Sequence, residues 1–302
     1  MLCRSQAFCF ISIFALLTIT SSRGQTTVAS NAATTTALPA SSPVVGGTNY
    51  PVLPTTNAPV SAGMQTPPTP APSNGPRSSY SSVHVNGPYI AMTFDDGPSA
   101  ALTPRLLDIL KERHIHVTFF VLGQMVKAHP EILQREIAEG HEVGNHTWDH
   151  LPLTKVVSIE GGLDREIGNT SALIKQVTGN APIFLRPPYG ATNPRLSRAI
   201  EKQYGLKVIL WSVDPFDWKD PGPQVVEQRI LSGWKESGGV KPGAIILSHD
   251  IHKGTIEAMP ATLDALLAKG YKFVTVSELL AMENKTPTTA GTPLQPPTKS
   301  TN

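Results

Sequence analysis

Between residues 86 and 284, short apolar runs alternate along the chain with longer segments whose apolar residues recur at helical spacing. Short apolar, β-rich runs predict strands, and the helical spacing predicts amphipathic helices. Seven runs are predicted to be strands, namely YIAMTF, HVTFFVLG, HEVGNH, IFLRPP, KVILWSVD, AIILSHD and KFVTVS. A helical segment lies between each pair of consecutive runs, beginning with TPRLLDILKERH. This repeated alternation predicts an α/β fold, a parallel sheet with helices packed outside it.

The number of these strand–helix units bears on how the sheet is arranged. About seven units in some 200 residues favour one closed or nearly closed (β/α) barrel over two separate domains. An open, doubly wound sheet is the alternative architecture. No glycine-rich dinucleotide fingerprint follows the first predicted strand, and its absence disfavours that alternative.

The first 24 residues have the layout of a secretory signal peptide. Arg4 precedes an apolar stretch from about Ala7 to Ile19, and the small residues Ser22 and Gly24 follow it. The apolar stretch is too short for a comfortable membrane span. We therefore expect a secreted, periplasmic or cell-envelope protein with no stable membrane insertion after signal cleavage. An uncleaved anchor is the alternative interpretation.

The only cysteines of the chain, Cys3 and Cys9, lie inside this predicted signal peptide. After cleavage the chain would contain no thiol, no disulfide and no cysteine metal ligand. Its stability is therefore expected to depend on the packed core alone.

Two segments of low-complexity composition flank the alternating region. Residues 25–85 are rich in Ala, Thr, Ser and Pro, and Arg77 is the only charged residue up to position 82. Such a segment buries too little apolar surface to offset its chain entropy, so we predict a disordered linker. Residues 285–302 have the same character and are predicted to be a disordered tail. The folded, catalytic domain is thus expected over residues 86–284, and the net charge of +2 gives no indication of a nucleic-acid partner.

Polar side chains follow five of the predicted strands at the point where each strand ends. They are Asp95 and Asp96 after the first strand, His146 and His150 after the third, Arg186 after the fourth, Asp214 and Asp217 after the fifth, and His249 and Asp250 after the sixth. In a (β/α) barrel the functional groups cluster where strands end and loops begin. Their common position predicts that these residues form one site.

The adjacent acids of TFDDGP, Asp95 and Asp96, repel each other and need either water or a cation. They are either a polar strand end, or a site where one carboxylate binds a metal and the other moves a proton. The histidines of HTWDH, His146 and His150, would share a face on one helical turn and could reach a single ion. With one carboxylate they form a set that suits catalytic zinc, although non-haem iron uses a similar triad.

Three further segments add chemistry at the ends of later strands. In RPPYG, Arg186 stands beside two prolines, so it is either a surface arginine on a rigid turn or a fixed guanidinium that keeps a carboxylate ionised. DPFDW places the acids Asp214 and Asp217 beside the aromatic residues Phe216 and Trp218. LSHD ends an apolar run with His249, which is a candidate proton donor.

TFDDGP, HTWDH, RPPYG, DPFDW and LSHD occur in this order, and together they resemble the five motifs of the polysaccharide deacetylases. This family is also called the NodB-homology or carbohydrate esterase family 4 enzymes. The resemblance covers about residues 86 to 283. It implies a distorted (β/α) barrel of the NodB-homology type, often with seven strands. It also implies metal-dependent N-deacetylation of N-acetylglucosamine polymers such as peptidoglycan or chitin.

The resemblance implies a metal centre and a base next to it. Asp96, His146 and His150 match the ligands of one divalent ion, with Zn²⁺ as the first expectation and Co²⁺ or another divalent ion as the alternative. Asp95 is similar to the catalytic base, and Arg186 matches the arginine that orients this base.

The resemblance implies the remaining roles in the same way. His249 matches the catalytic histidine and Asp217 the carboxylate that tunes it. The backbone N–H of Tyr189 matches an oxyanion donor, while Trp218 and Leu247 match the residues that wall the acetyl pocket. The expected partner is a polysaccharide, and the protein is expected to be a monomer.

Two other functions are compatible with parts of this pattern. The same kind of site supports an O-deacetylase of acetylated xylan. A non-catalytic carbohydrate-binding wall protein is the alternative from a different class, but binding alone does not require an aligned acid and base. An iron oxygenase would need a cosubstrate site, of which the sequence shows no sign.

The other histidines and two tryptophans are interpreted as structural or surface residues. Predicted to lie on helix or loop surfaces are His84, His114, His116, His129 and His141. His252 is interpreted as a loop residue, and Trp211 and Trp234 are interpreted as packing residues.

Overall fold

A computed structural model describes residues 77–283 with the exception of residue 236. The predicted signal peptide, most of the predicted linker and the predicted tail lie outside the described residues. The strands are β1 (Ser79–Tyr80), β2 (Tyr89–Asp95), β3 (Thr118–Val121), β4 (Glu142–Asn145), β5 (Phe184–Leu185), β6 (Lys207–Ile209), β7 (Gly233–Trp234), β8 (Ser237–Gly238), β9 (Ile245–Ile246) and β10 (Lys272–Phe273). The α-helices are α1 (Thr103–Glu112), α2 (Gly123–Ala128), α3 (Pro130–Ala138), α4 (Leu153–Val156), α5 (Asn169–Thr178), α6 (Pro194–Tyr204), α7 (Pro223–Ser232), α8 (Lys253–Ala268) and α9 (Val276–Glu283).

Six parallel strands form a closed ring. The pairing runs from β2 through β3, β4 and β5 to β6. Val213, just beyond β6, forms a parallel bridge with Ile246 of β9, and β9 pairs with β2 to complete the ring. β10 pairs with β2 and β1 with β6, both in parallel. The prediction of a distorted parallel (β/α) barrel is confirmed, and all seven predicted strands are present.

The N-terminal boundary of the folded region lies earlier than predicted. β1 pairs with β6, so residues 79–80 belong to the barrel and not to the linker. Val83 and Val85 are buried, and the Val83 N–H donates to the Gly243 carbonyl at 2.9 Å. A Cβ at Gly243 would lie 1.7 Å from the Val83 carbonyl oxygen, so only glycine permits this approach. The prediction of a boundary at residue 86 is wrong. β1 has only two residues, so the low-complexity composition of the linker continues on both sides of it and the sequence gives no sign of a strand.

The strands and helices form where the sequence pattern places them. β2 is buried along almost its whole length, which explains its continuous apolar run, since helices cover the sheet outside and side chains fill it inside. Helix α1 turns Leu106, Leu107 and Leu110 into the core, and each of them is fully buried. Burial of one such leucine stabilises the fold by about 2 kcal/mol. None of the helices within residues 77–283 is long and apolar enough to cross a membrane.

Prolines in the first turn fix the starts of four helices, α1, α3, α6 and α7. Proline suits this position because its backbone nitrogen would have no helical partner there. In α6, the Asn193 side chain also accepts from the Leu196 N–H at 2.9 Å, and Gly205 ends the helix with a φ of 70°. Because the strands of the ring are parallel, their C-terminal ends all lie at one mouth of the barrel.

Candidate active site

A cavity of about 390 Å³ opens at the C-terminal ends of the strands. Its walls consist of Asp95, Asp96, His146, His150, Pro187, Tyr189, Trp211, Asp214, Trp218, Leu247 and His249. These include eight of the ten residues to which the resemblance gives a role. The other two, Arg186 and Asp217, are buried and bind Asp95 and His249. The structure therefore brings these ten residues together. Of the two other residues predicted to belong to the site, Asp214 lines the cavity and Asp250 does not.

Three of the wall residues converge on a single point. His146 Nε2 lies 3.3 Å and His150 Nε2 lies 3.4 Å from the same oxygen, Asp96 Oδ1. This oxygen is buried and has no hydrogen-bond partner within the part of the chain that the structure describes. His146 Nδ1 is 2.7 Å from the Arg186 carbonyl, to which it donates, and this leaves Nε2 free as an electron-pair donor. Two imidazole nitrogens and one carboxylate oxygen are the donor set of a catalytic zinc site, so these residues fit a divalent ion.

The segment that carries both histidines is a loop and not the helical turn that we predicted. Thr147 and His150 both have left-handed φ values, 74° and 59°. Glu166 holds the loop because its carboxylate accepts from the backbone N–H groups of residues 148–149 at 3.1 and 3.0 Å. Asn145 Oδ1 also accepts from the Thr147 N–H at 2.7 Å. The rings reach one ion because the chain folds back, and not because they share a helix face.

The electrostatics of this cluster favour positive charge. Burial raises the pKa of Asp96, but the His146 ring 3.3 Å away and the charges of His146, His249 and His150 outweigh burial and hold this pKa well below its usual range. Burial lowers the pKa of His146, yet the charges of Asp95 and Asp96 raise it overall. A bound cation would satisfy the same carboxylates in place of these protons. Asp96 also has a φ of 76°, a strained conformation that places its carboxylate between the two rings.

Arg186 is wholly buried and fixes Asp95. Its Nη1 donates to Asp95 Oδ1 at 2.7 Å and to Thr93 Oγ1 at 2.6 Å. Its Nε and Nη2 donate to the carbonyls of residues 209–210 at 3.3 and 3.2 Å, and its guanidinium carbon lies 4.2 Å from the centre of the Phe120 ring. Loss of either charge would leave the other one buried and uncompensated, at a cost of about 3–5 kcal/mol. Asp95 is therefore held in one orientation beside a buried positive charge.

Thr93 belongs to this network, and sequence reasoning missed it. Its hydroxyl accepts from Arg186 and donates to the Ile246 carbonyl at 2.6 Å. Residues two apart on a strand lie on the same side of the sheet, so the spacing of Thr93 and Asp95 could have identified it.

The half-buried His249 and the buried Asp217 form a second pair across the cavity. Asp217 Oδ1 is 2.8 Å from His249 Nδ1, and its Oδ2 accepts from the His249 N–H at 2.8 Å and from Thr255 Oγ1 at 2.7 Å. Burial lowers the pKa of His249, but the hydrogen bond and charge of Asp217, with the charges of Asp95 and Asp96, raise it to about 9. Because Nδ1 is engaged, Nε2 is the nitrogen available for proton transfer in the cavity.

Tyr189, Trp218 and Leu247 complete the walls. Tyr189 has a φ of 60° in a 3-10 turn, and its backbone N–H has no acceptor among the described residues. The Tyr189 hydroxyl is 3.1 Å from His150 Nδ1. Leu247 is nearly buried, whereas Trp218 is 47% exposed at the rim. The cavity thus has a polar floor and an apolar side.

Trp211 also lines the cavity, so its interpretation as a packing residue is wrong. Its ring approaches the backbone of the RPPYG turn, where a Cβ at Gly190 would lie 3.1 Å from it. Asp214 is a wall residue as well, and its Oδ1 accepts from the Phe216 N–H at 2.7 Å. Asp250, by contrast, does not line the cavity. It is fully buried and accepts a hydrogen bond from Thr103.

One of the histidines predicted to lie on the surface is buried instead. His141 is only 5% exposed, and its Nδ1 accepts from the Val117 N–H at 3.2 Å. His141 lies directly before β4. The sequence still has a loop pattern at this position, but the chain has already entered the core, and this explains the error. His84, His114 and His116 are exposed, and His129 is half-buried.

Residues 82–209 match the family model described as polysaccharide deacetylase. The peptidoglycan-N-acetylglucosamine deacetylase PgdA of Listeria monocytogenes is 44% identical over 190 residues, which are 63% of this chain and 38% of PgdA. A peptidoglycan-N-acetylglucosamine deacetylase of Bacillus cereus is 36% identical over 203 residues, 64% of this chain and 70% of the relative. The solved structure of peptidoglycan deacetylase PdaC of Bacillus subtilis matches with a TM-score of 0.60 and 40% identity, over 66% of this chain and 93% of that one. The chain spans about two fifths of the length of PgdA.

Proposed function

The chain belongs to the polysaccharide deacetylase family, and from this we propose that it removes N-acetyl groups from N-acetylglucosamine residues of a polysaccharide and releases acetate. The glycan would be peptidoglycan or a chitin-type polymer. We further propose that the reaction depends on one divalent ion. The names of the relatives support a deacetylase, and the geometry of the cavity supports the chemistry.

One arrangement carries the proposal, namely a fixed carboxylate that lies between a metal-binding triad and a charged imidazole. Asp95 Oδ2 is 3.8 Å from His146 Nε2. The backbone of Asp95, at the end of β2, forms a parallel β-bridge with His249, three residues beyond β9. Burying these charges is costly, and glycan binding alone would not require it. The arrangement is the one expected for general acid–base catalysis beside a metal ion.

Asp96, His146 and His150 would hold the ion, which we propose to be Zn²⁺ with Co²⁺ as the alternative. When bound, such an ion supplies Lewis acidity, which polarises an amide carbonyl and lowers the pKa of water.

The residues of the chain would supply the proton transfers. Asp95, oriented by Arg186, accepts the proton of the attacking water. The free N–H of Tyr189 donates to the oxyanion that forms on the acetyl carbon. His249, whose pKa Asp217 raises, is protonated at neutral pH and gives its Nε2 proton to the departing amine nitrogen. Acetate then leaves, and the sugar retains a free amino group.

The remaining walls would decide which group enters. Trp218 and Leu247 are proposed to hold the acetyl methyl group, because they form the apolar side of the cavity. We also propose a secreted, periplasmic or cell-envelope location, which the sequence of residues 1–24 and the peptidoglycan named for the relatives both support. The protein is proposed to act as a monomer on this glycan.

The test is acetate release measured side by side on chitin oligomers, peptidoglycan and acetylxylan. Each reaction is run with the purified protein, with a chelator, and with zinc or cobalt added back after chelation. We expect release from the N-acetylated glycans, its loss with the chelator and its recovery with metal. Release from acetylxylan alone would instead establish the O-deacetylase, and glycan binding without any release would contradict an enzyme.

A further inference from the structure

A surface beside the cavity combines three aromatic rings with three cationic side chains, of which Trp218, Lys219 and Lys235 are exposed and the other three are half-buried. We call it the basic–aromatic ledge, and it consists of Phe216, Trp218, Lys219, Arg229, Trp234 and Lys235. The Phe216 ring centre lies 6.1 Å from that of Trp218 and 5.0 Å from that of Trp234. Because Trp218 also lines the cavity, the ledge begins at its rim and leads away from it.

Each cation of the ledge lies over a ring. Lys219 Nζ is 4.7 Å from the centre of the Trp218 ring and 5.4 Å from that of Phe216. Arg229 Cζ and Lys235 Nζ are 3.7 and 4.3 Å from the centre of the Trp234 ring. Ring faces attract cations without neutralising them, so these contacts hold positive charge at fixed positions.

Lys219 is the cation nearest the cavity, and it forms no ion pair with any residue that the structure describes. The next residue, Asp220, has its carboxylate 3.4 Å from His252 Nδ1. Lys219 is exposed, so its charge is available to a ligand that leaves the cavity over Trp218.

The loop that presents Lys219 is rigid. Phe216 and Asp220 have left-handed φ values of 53° and 47°, which are strained for side chains of this kind. Three hydrogen bonds hold the loop, because Asp214 accepts from the Phe216 N–H, Arg229 Nη1 donates to the Pro215 carbonyl at 3.0 Å, and the Lys219 N–H donates to the Phe216 carbonyl at 3.2 Å. A charge on a rigid loop loses little entropy when it binds its partner.

We propose that the basic–aromatic ledge, with Lys219 as its first cation, binds a carboxylate on the sugar next to the one in the cavity, and that it makes the protein selective for acidic over neutral glycans. This inference rests on the proposed function in that it assumes a glycan in the cavity. It separates the two glycan types left open above, since chitin is uncharged whereas a peptidoglycan strand carries carboxylates.

Two sources of carboxylate are possible on such a strand, the lactyl group of the sugar itself and the attached peptide. The shared chemistry is a carboxylate within reach of the cavity rim. Strands from which an amidase has removed the peptides keep only the lactyl carboxylate, so a comparison of treated and untreated strands distinguishes the sources.

The experiment measures binding by calorimetry and kcat/KM by acetate release, with the full zinc-loaded chain. The ligands are chitopentaose, soluble peptidoglycan strands with and without peptides, and the same strands with their carboxylates converted to neutral amides. The variants are Lys219→Gln, Lys219→Arg and Lys269→Gln. Lys269 is the matched control because it follows the C-terminus of α8, at the opposite end of the barrel from the cavity.

We expect Lys219→Gln to weaken binding of the acidic strands and to lower kcat/KM on them by about two- to fivefold, as for an exposed ion pair. The same variant should leave chitopentaose and the neutralised strands unchanged. Lys219→Arg should retain most of the preference for acidic strands, and Lys269→Gln should match the unmodified protein. High salt should remove the preference for acidic strands.

Equal binding of acidic and neutralised strands by the unmodified protein would overturn the proposal, as would equal losses of Lys219→Gln on both. If the protein prefers acidic strands through Lys219 but releases no acetate from any glycan, the proposed function fails while the ledge stands. If acetate is released without any dependence on Lys219, the proposed function stands and the proposal for the ledge fails.

Discussion

The barrel holds a histidine that is largely shielded from water near each of its two ends, and the two histidines differ in electrostatic state. At the mouth, His249 is bound by both oxygens of Asp217, and its pKa is raised to about 9. At the opposite end, before β4, His141 accepts from the Val117 N–H, and its Nε2 is buried without a partner among the described residues. Burial, followed by the charge of His116, lowers the pKa of His141 to about 4.

The difference shows that burial alone does not make a functional group. Both imidazoles are largely removed from water, but only the one at the mouth has a buried carboxylate that compensates its charge. The opposite pKa shifts give opposite contributions to stability. His249 stabilises the fold fully below pH 6.5, and this contribution is lost as the pH rises through about 9. His141 contributes above pH 6.5, and its contribution is lost as the pH falls through about 4.

The largest effect is expected when a histidine is removed from the metal-binding triad at the mouth. His146→Ala should lose the ion and with it at least about a thousandfold in acetate release, because the Lewis acid supplies several kcal/mol. Metal content by mass spectrometry and turnover are measured on the same sample. His141→Asn, a histidine substitution at the other end, is the control and should keep both. Unchanged metal content in His146→Ala would show that this residue is not a ligand.

The next effect concerns Asp95, which is fixed by Arg186 at 2.7 Å. Asp95→Asn keeps the shape of the side chain but cannot accept the proton of water, so turnover should fall about 10²- to 10⁴-fold while the metal stays bound. Near-normal turnover would remove Asp95 as the base. Loss of the ion instead would place it in the metal site.

Removal of the imidazole at the mouth should cost a similar or smaller factor. His249→Ala should lower turnover about 10²-fold or more with the ion retained, because the departing amine loses its proton donor. The control is the metal content, which distinguishes a proton donor from a ligand. If the variant loses the ion, the role assigned to His249 is wrong.

A smaller change is expected when the imidazole stays and its carboxylate partner is weakened. Asp217→Asn removes the charge that raises the pKa of His249, so this pKa should fall and the alkaline limb of the pH–rate profile should move to lower pH. The profile of kcat is measured for both proteins across the alkaline range. An unshifted limb with a uniformly lower rate would mean that Asp217 acts only through structure.

The comparison of the two ends also shows what the sequence could predict. Seven polar residues at the mouth were identifiable because each follows the end of an apolar strand, and parallel strands bring these ends together. They are Asp95, Asp96, His146, His150, Arg186, Asp217 and His249. Tyr189, Trp218 and Leu247 were assigned only through the resemblance to the polysaccharide deacetylases. The loop conformation of HTWDH was not identifiable, because Glu166, 16 residues beyond His150, decides it. The burial of His141 was equally hidden, since it depends on packing against Phe119, whose ring centre lies 5.3 Å away. Local patterns thus predicted which residues meet but not how remote side chains shape their backbone.

The smallest effect is expected at the end without a carboxylate, where His141→Asn should change stability and not catalysis. Asparagine Oδ1 can replace Nδ1 as the acceptor for Val117, so at neutral pH acetate release should equal that of the unmodified protein. In the unmodified protein, the unfolded chain binds a proton at His141 near pH 6.5, whereas the folded chain resists it down to about pH 4. The free energy of unfolding should therefore fall by up to about 3 kcal/mol over this window because of His141.

Denaturant titrations of both proteins between pH 7 and pH 4 give the free energy of unfolding of each. The difference between the two proteins isolates the contribution of His141, because the contributions of other buried acids, such as Asp250 and Glu136, are common to both and cancel. The variant should lose less stability than the unmodified protein as the pH falls. Parallel losses would mean that His141 becomes protonated in the folded state without cost. In that case the pKa of His141 would not be lowered, and the two ends of the barrel would not shift the pKa of a histidine in opposite directions.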